Sequence, residues 1–231
     1  MNRPLISLSA LRELTRLALP MVVSQGTFAL MIFTDRFFMA QIDPVHMAAA
    51  LGGGVASFFS FCFFVGLLSY ANALAAQYLG AGEPEKCTRV VAQGLLLTAL
   101  STPLLIGITL LVAQLFAAMG HAPAQVELER TYFLILMAGA LFTLARVCLS
   151  SYFAGIGRTR TVMLCDVFGL VVNVPLCYAM VFGKAGFPAL GIVGAGVSTV
   201  VATLASLLLF CAYYFAREHR ERRGLVVFEQ D

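Results

Sequence analysis

Apolar residues fill six long stretches of this chain, separated by short segments rich in glycine, proline or charge. A helix needs about 20 apolar residues to cross the ~30 Å hydrocarbon core of a bilayer, and each stretch reaches that length. We therefore predict an all-α, polytopic membrane protein in which residues 1–216 form one six-span unit. The predicted spans cover about 17–40, 47–79, 90–118, 131–155, 162–182 and 192–215, followed by a charged, frayed tail at 217–231.

The connections between the spans carry local stop and start signals. Glycines at 80 and 82 are typical of a helix end, and Pro84 between two glutamates favours the start of the next helix. We predict short connections at 41–46, 155–161 and 183–191, and a polar loop over His121–Arg130. Proline inside a helix removes one backbone hydrogen bond, so we expect a kink at Pro20 in the first span.

The composition excludes several classes of protein. Of the 231 residues, 60% are hydrophobic and 12% charged, whereas a soluble domain carries about 25% charged residues. The net charge of +3 does not indicate nucleic-acid binding, because the basic residues collect in loops and at one terminus. We see no phosphate-binding motif, no metal-ligand spacing and no nucleophile–base set, and we predict no enzyme and no cofactor. The six cysteines lack a CxxC pair and are predicted to be free thiols.

The basic residues also predict the orientation, because lysine and arginine accumulate in cytoplasmic loops. With both termini in the cytoplasm of a multi-pass protein of the cell (inner or plasma) membrane, eleven of the 15 basic residues fall on the cytoplasmic side. The outer side then holds three basic residues, and the fourth span holds one. The eleven are Arg3, Arg12, Arg16, Lys86, Arg89, Arg158, Arg160, Arg217, Arg220, Arg222 and Arg223.

Asp35 is the first candidate for chemistry, because it lies inside the first apolar stretch. An ionisable group within a spanning helix is costly and by default indicates a functional site. Desolvation disfavours the charged form, so the carboxylate needs a proton, a bound cation or water. The alternative is an interfacial acid neutralised by Arg36, although adjacent residues on a helix point to different faces.

Other polar residues in the spans leave their roles open. Arg146 in the fourth span either pairs with an acid such as Asp166 or extends towards the interface, and Asp166 itself is either paired or solvated. Asn173, seven residues after Asp166, contacts a ligand or makes an interhelical hydrogen bond. Small residues from Gly191 to Ser198 predict a face for close helix packing.

Five segments together resemble a known family. The segments LALPMVVSQGTFALMIFTD, QYLGAGEPEK, FAGIGRTRTVM, GLVVNVPLCYAMVFG and GFPALGIVGAGVSTVVA are similar, in this order and spacing, to the N-terminal lobe of MATE (multidrug and toxic compound extrusion) transporters of the MOP superfamily. The similarity runs from about residue 11 to 215. Members of the family usually have twelve spans in two six-span lobes, so this chain corresponds to one lobe.

The resemblance implies a secondary antiporter that expels organic cations or drugs in exchange for protons or sodium. It places the cation- or proton-binding residues at Asp35, Asn173 and Thr199 and the helix kink at Pro20. The expected coupling ion is H⁺ or Na⁺. The expected partners are a cationic small molecule, membrane lipid and a second six-span lobe, as a homodimer or a separate chain, with no nucleic acid. The candidates for the substrate cavity are Gln25, Met31, Tyr70, Asn72 and Cys177.

Two positions depart from the family pattern. Cys177 stands where some relatives have a second carboxylate, and Met31 where some have a tyrosine. A sodium site with two carboxylates is therefore disfavoured, and proton coupling through Asp35 alone is the simpler expectation. The alternatives are a flippase for lipid-linked precursors and a non-transporting lobe that acts as an assembly partner. We expect the chain to be a fragment, a truncated gene product or a half-transporter that pairs with a second copy.

Overall fold

A computed structural model describes residues 8–222, except for the side chains of 8–11, 13 and 217–222. The described part is helical throughout, joined by short turns. The helices are α1 (Leu8–Ile42), α2 (Pro44–Ser69), α3 (Ala71–Gly80), α4 (Pro84–Leu115), α5 (Pro123–Ala138), α6 (Ala140–Gly155), α7 (Thr159–Phe182) and α8 (Ile192–Arg222), with a 3₁₀ turn at Phe116–Ala118 after α4.

The described residues hold five segments that are long and apolar enough to span a membrane. The pair α5–α6, bent by 49°, is the sixth when it is counted as one span. The five are Leu14–Ile42, Pro44–Gly80, Pro84–Ala118, Thr159–Phe182 and Ile192–Ala216. The connections are short, so successive crossings alternate in direction. We call the end where α1 begins and α8 ends the termini end, and the opposite end the far end.

Proline and glycine set several helix boundaries. Pro44, Pro84 and Pro123 each occupy the first turn of a helix, where the missing N–H has no partner to lose. The Asp43 carboxylate accepts a hydrogen bond from the Val45 amide at 2.8 Å and caps α2. Gly183 ends α7 at a φ of 68°, a left-handed conformation that glycine adopts without a steric penalty.

Four boundaries differ from the sequence-based prediction. The expected loop at His121–Arg130 was wrong from Pro123 onward, because α5 begins there. The connection predicted at 41–46 consists of Asp43 alone. The second predicted span contains two helices, α2 and α3, which are separated at Tyr70. α8 continues through Arg222 into the expected tail. Arg3 and residues 223–231 lie outside the described part.

Large apolar side chains cover much of the surface of the bundle. Phe59 and Phe63 on α2 are each 70% exposed, and Val22 on α1 is 66% exposed. Soluble monomers rarely expose extended apolar patches, whereas such a surface suits the hydrocarbon of a bilayer. The chain is therefore a multi-pass membrane protein.

Small residues bring the helices around α8 close together. A Cβ on Gly194 would lie 2.8 Å from backbone atoms of Met180 on α7, and one on Gly196 would lie 2.9 Å from the Ile135 side chain on α5. The predicted packing face is therefore confirmed at these two glycines. Ala195 between them is fully buried in a core with Met39, Tyr132 and Cys177, and this core surrounds the candidate site.

Candidate functional site

Asp35 lies inside the bundle, where α1 meets α7 and α8. Only 5% of the residue is exposed. Its Oδ2 accepts a hydrogen bond of 2.8 Å from the Thr199 hydroxyl on α8. The amide of Asn173 on α7, which is fully buried, donates to the Thr199 hydroxyl at 3.5 Å. The structure thus brings the three predicted cation- or proton-binding residues together from three helices.

Two oxygens of this cluster have no hydrogen-bond partner within the described part of the chain. They are Oδ1 of Asp35 and Oδ1 of Asn173, and both are buried. A buried acceptor without a donor costs free energy, so an unpaired carboxylate and an unpaired amide oxygen favour a bound proton, cation or water. Oxygen ligands of this kind accept either a proton or a hard cation.

The Thr199 hydroxyl can serve both protonation states of Asp35. Its oxygen lies 2.8 Å from Oδ2 of Asp35 and 2.9 Å from the Ala195 carbonyl of its own helix. A hydroxyl has a single proton to donate and also accepts. It can therefore donate to the ionised carboxylate, or accept from the protonated acid while it donates to Ala195.

Arg36 does not neutralise Asp35 directly. The ion pairs found in the described residues do not include Asp35, although Arg36 follows it in sequence and is only half-buried. The simple alternative of an interfacial Asp35–Arg36 pair therefore has no support in the geometry.

The candidates for a substrate cavity do not form one group. Cys177 is fully buried and lies beside Asp35, and Met31 is half-buried one helical turn before Asp35. Gln25 is exposed on α1, Tyr70 is 57% exposed at the α2–α3 break, and Asn72 is half-buried on α3.

A groove of about 420 Å³ lies elsewhere, between α2 and α4. It is lined by Ala56, Phe59, Ser60, Phe63, Phe64, Leu104, Ile108 and Val112, and none of the five candidates belongs to this lining. Pro20 is buried inside α1, which stays helical on both sides of it.

Arg146 and Asp166 form an ion pair between α6 and α7. The guanidinium Nη1 lies 2.7 Å from Oδ1 of Asp166, and the side chains are 20% and 11% exposed. The Ser24 hydroxyl on α1 donates to the other oxygen, Oδ2 of Asp166. The paired alternative is therefore confirmed for both charges, and Ser24 is a partner that the sequence analysis missed.

Glu129 is a second buried acid that the sequence analysis missed, because it was placed in a loop. Only 1% of the residue is exposed. Gln125 donates to its Oε1 at 2.8 Å, and the ring of His121 lies 3.1 Å from the carboxylate. A Cβ on Gly52 of α2 would lie 2.8 Å from Oε1 of Glu129, so the glycine leaves room for the buried carboxylate.

Tyr132 was also missed, although it packs beside the Asp35 cluster. It is 6% exposed, and its ring lies between Gly53 of α2 and Gly196 of α8, where added Cβ atoms would be 3.2 and 3.4 Å from it. The tyrosine packs in the same core as Cys177. Nothing in the local sequence distinguishes it from an ordinary residue at the start of a span.

Comparison with known proteins decides the family. The sequence matches the family MatE over residues 20–179, a region that contains Asp35, Arg146, Asp166 and Asn173. The chain belongs to the MatE family. Solved proteins with this fold are described as transporters, which agrees with the expectation that the chain is not an enzyme.

Curated relatives of this MatE chain are about twice as long as the chain. It is 34% identical over 192 residues to the probable multidrug resistance protein NorM of Pseudomonas syringae pv. tomato. This alignment covers 81% of this chain and 41% of that protein. It is 29% identical over 203 residues to the multidrug resistance protein MdtK of Edwardsiella ictaluri, covering 87% and 44%. The chain therefore spans less than half of the length of these relatives.

Solved structures show the same fold in one half of longer transporters. A MOP superfamily transporter from Pyrococcus furiosus superposes with a TM-score of 0.79 at 23% identity, over 89% of this chain and 45% of that one. An outward-facing multidrug resistance MATE family transporter gives a TM-score of 0.79 at 24% identity, with the same coverages. The prediction of a six-span MATE-like lobe is confirmed.

Proposed function

We propose that the chain is one lobe of a secondary multidrug exporter that expels organic cations in exchange for protons, with Asp35 as the exchange site. The observation that carries this proposal is the buried carboxylate of Asp35, with one oxygen hydrogen-bonded to Thr199 and the other unpaired. A neutral, protonated acid is tolerated there, whereas the carboxylate needs a cation. The names of NorM and MdtK as multidrug resistance proteins support the substrate class.

Proton coupling is favoured over sodium coupling by the ligands around Asp35. The unpaired side-chain oxygens are Oδ1 of Asp35 and Oδ1 of Asn173. The next side chain is the thiol of Cys177, and sulfur is a soft ligand that suits a hard cation poorly. Exchange follows if proton and organic cation compete for Asp35 and the conformation of the lobe depends on which is bound.

A flippase for lipid-linked precursors is less well supported. A cavity for a polyanionic lipid headgroup requires free positive charge, and Arg146 is already neutralised by Asp166. We also propose that the termini end faces the cytoplasm of the cell membrane, because Arg12, Arg16, Lys86 and Arg158 lie in the segments at that end. Fusions of green fluorescent protein and alkaline phosphatase to the C-terminus would test this orientation.

The proposal includes a second six-span lobe, from another copy or a separate chain. It rests on the length of the relatives, of which the chain covers 41–44%. Native mass spectrometry of the solubilised chain would detect a homodimer.

Efflux of ethidium from cells that express the chain tests the exchange site. We expect Asp35→Asn to abolish efflux, and Asp43→Asn to retain it. Asp43 is an exposed carboxylate that caps α2, and asparagine caps a helix equally well. Equal efflux by wild type and Asp35→Asn would remove Asp35 from the mechanism. No efflux by any variant would favour a lobe that does not transport by itself.

A further inference from the structure

A second polar cluster joins α1 to α6 and α7 nearer the termini end. Asp166 uses both carboxylate oxygens, one towards Arg146 at 2.7 Å and the other towards Ser24. Hydrogen bonds to an ionised partner are shorter and stronger than neutral ones. Ser24 is only 8% exposed, so water competes little for its hydroxyl. The cluster therefore provides a strong attachment point for α1 inside the bundle.

The attachment point lies on the same faces as the Asp35 cluster. Ser24 and Asp35 are eleven residues apart on α1, which is three helical turns, and Asp166 and Asn173 are seven apart on α7, which is two turns. Residues at these spacings share one side of a helix. The two polar clusters are thus stacked along a single seam between α1 and α7.

Pro20 places the attachment on the segment of α1 that carries Asp35. Proline removes the hydrogen bond to the carbonyl four residues earlier, which weakens α1 before Ser24 and not after it. From Ser24 to Asp35 the helix is uninterrupted, so its backbone hydrogen bonds connect the two residues in one rigid segment.

We propose that Arg146 and Asp166 are positioning residues, which act through Ser24 to set the height and rotation of Asp35 against Asn173 and Thr199. Arg146 orients the carboxylate of Asp166, and Asp166 anchors the rigid segment of α1. Loss of this anchor displaces Asp35 relative to its hydrogen-bond donor on α8. The importance of this for transport rests on the proposed function, but the positioning itself does not.

Infrared spectroscopy of the purified, lipid-reconstituted chain tests the positioning. The carboxyl band of residue 35 is defined as the band lost in Asp35→Asn. We expect this band to shift in Ser24→Ala and in Asp166→Asn, because its hydrogen bonding to Thr199 changes. Ser24→Thr keeps the hydroxyl and is expected to keep the wild-type band.

Thr27→Val is the matched control. Thr27 is buried one turn further along α1, and its hydroxyl bonds to the Val23 carbonyl of its own helix. An unchanged band of residue 35 in Ser24→Ala, with helical circular dichroism intact, would overturn the inference. If Asp166→Asn does not fold, the Ser24 variants decide alone.

Ethidium efflux separates this inference from the proposed function. We expect Ser24→Ala to slow efflux and Thr27→Val to leave it unchanged. A shifted band in Ser24→Ala together with full efflux in Asp35→Asn would support the positioning and disprove the exchange role of Asp35. An unshifted band in Ser24→Ala together with loss of efflux in Asp35→Asn would disprove the positioning and support the exchange role of Asp35.

Discussion

The Thr199 hydroxyl donates a 2.8 Å hydrogen bond to Oδ2 of Asp35 across 164 residues of sequence. It connects the first crossing of the bundle to the last. Because the same hydroxyl also reaches the Ala195 carbonyl, it can accommodate a protonated or an ionised acid. The contact between α1 and α8 can therefore persist in both protonation states of Asp35.

Replacement of Thr199 by valine tests this contact, since it removes the hydroxyl and preserves the branched shape. An unsatisfied buried acceptor costs about 1–3 kcal/mol, so we expect a loss of that size in the free energy of unfolding. Unfolding in SDS, followed by circular dichroism, measures it. Thr203→Val is the control, because its hydroxyl bonds to a carbonyl of its own helix. Equal effects of the two substitutions would contradict the importance of the interhelical bond.

Close packing of α2 against α5 requires the absence of a side chain at Gly53. A Cβ there would lie 2.8 Å from the carbonyl oxygen of Glu129 and 3.3 Å from the amide nitrogen of Phe133. Backbone cannot move aside as a flexible side chain can, and overpacking costs about 1–3 kcal/mol. We expect Gly53→Ala to lower the melting temperature of the solubilised chain.

Gly66→Ala on the same helix is the control for Gly53, because no atom lies within 4 Å of its added Cβ. Alanine favours a helix over glycine by about 1 kcal/mol, so we expect a neutral or stabilising effect. A loss of stability equal to that of Gly53→Ala would show that the helix contact is not the cause.

The buried Glu129 is expected to stabilise the far end of the bundle. Removal of its carboxylate in Glu129→Ala leaves Gln125 without its acceptor and creates a cavity, so we expect a loss of about 1–3 kcal/mol. Glu127→Ala, at an exposed position of the same helix, should change stability by less than about 0.5 kcal/mol. Denaturation of both variants in parallel measures the difference, and similar values would contradict the structural role of Glu129.

The Arg146–Asp166 pair predicts a distinctive pattern of single and double substitutions. Arg146→Met leaves the largely buried Asp166 carboxylate without its counter-charge, which costs up to about 3–5 kcal/mol. The double variant Arg146→Met/Asp166→Leu removes both charges, and we expect it to recover most of that loss. The expression level and the melting temperature in detergent measure the stability of the single and the double variant. Additive losses in the double variant would show that the two charges act independently.

Several features were predictable because they depend on local rules. Each long apolar run must satisfy its own backbone hydrogen bonds inside lipid, which only a helix achieves within one segment. Pro84, which follows Gly80 and Gly82, was a reliable helix start because proline fits the first turn of a helix. Asp35 could be singled out because a carboxylate in a long apolar run is costly and needs a function or a partner.

Partners could not be predicted from local rules. The predicted loop over His121–Arg130 failed because charged residues suggested exposure, whereas packing against α2 buries Glu129 beside His121 and Gln125. Tyr132 and Ser24 gave no local signal, because their contacts come from segments far away in sequence. The interruption between α2 and α3 at Tyr70 was also missed, because nothing in the apolar run marks it.

The sequence by itself determined that six apolar segments cross a membrane and that an acid lies within the first of them, because hydropathy and helix length act over neighbouring residues. Only the tertiary structure decided that Asp35 meets Thr199 and Asn173, and that Asp166 binds both Arg146 and Ser24. Those pairings depend on the rotation and height of each helix against the others. These are set by the close contacts of small residues such as Gly53, Gly194 and Gly196 with neighbouring helices.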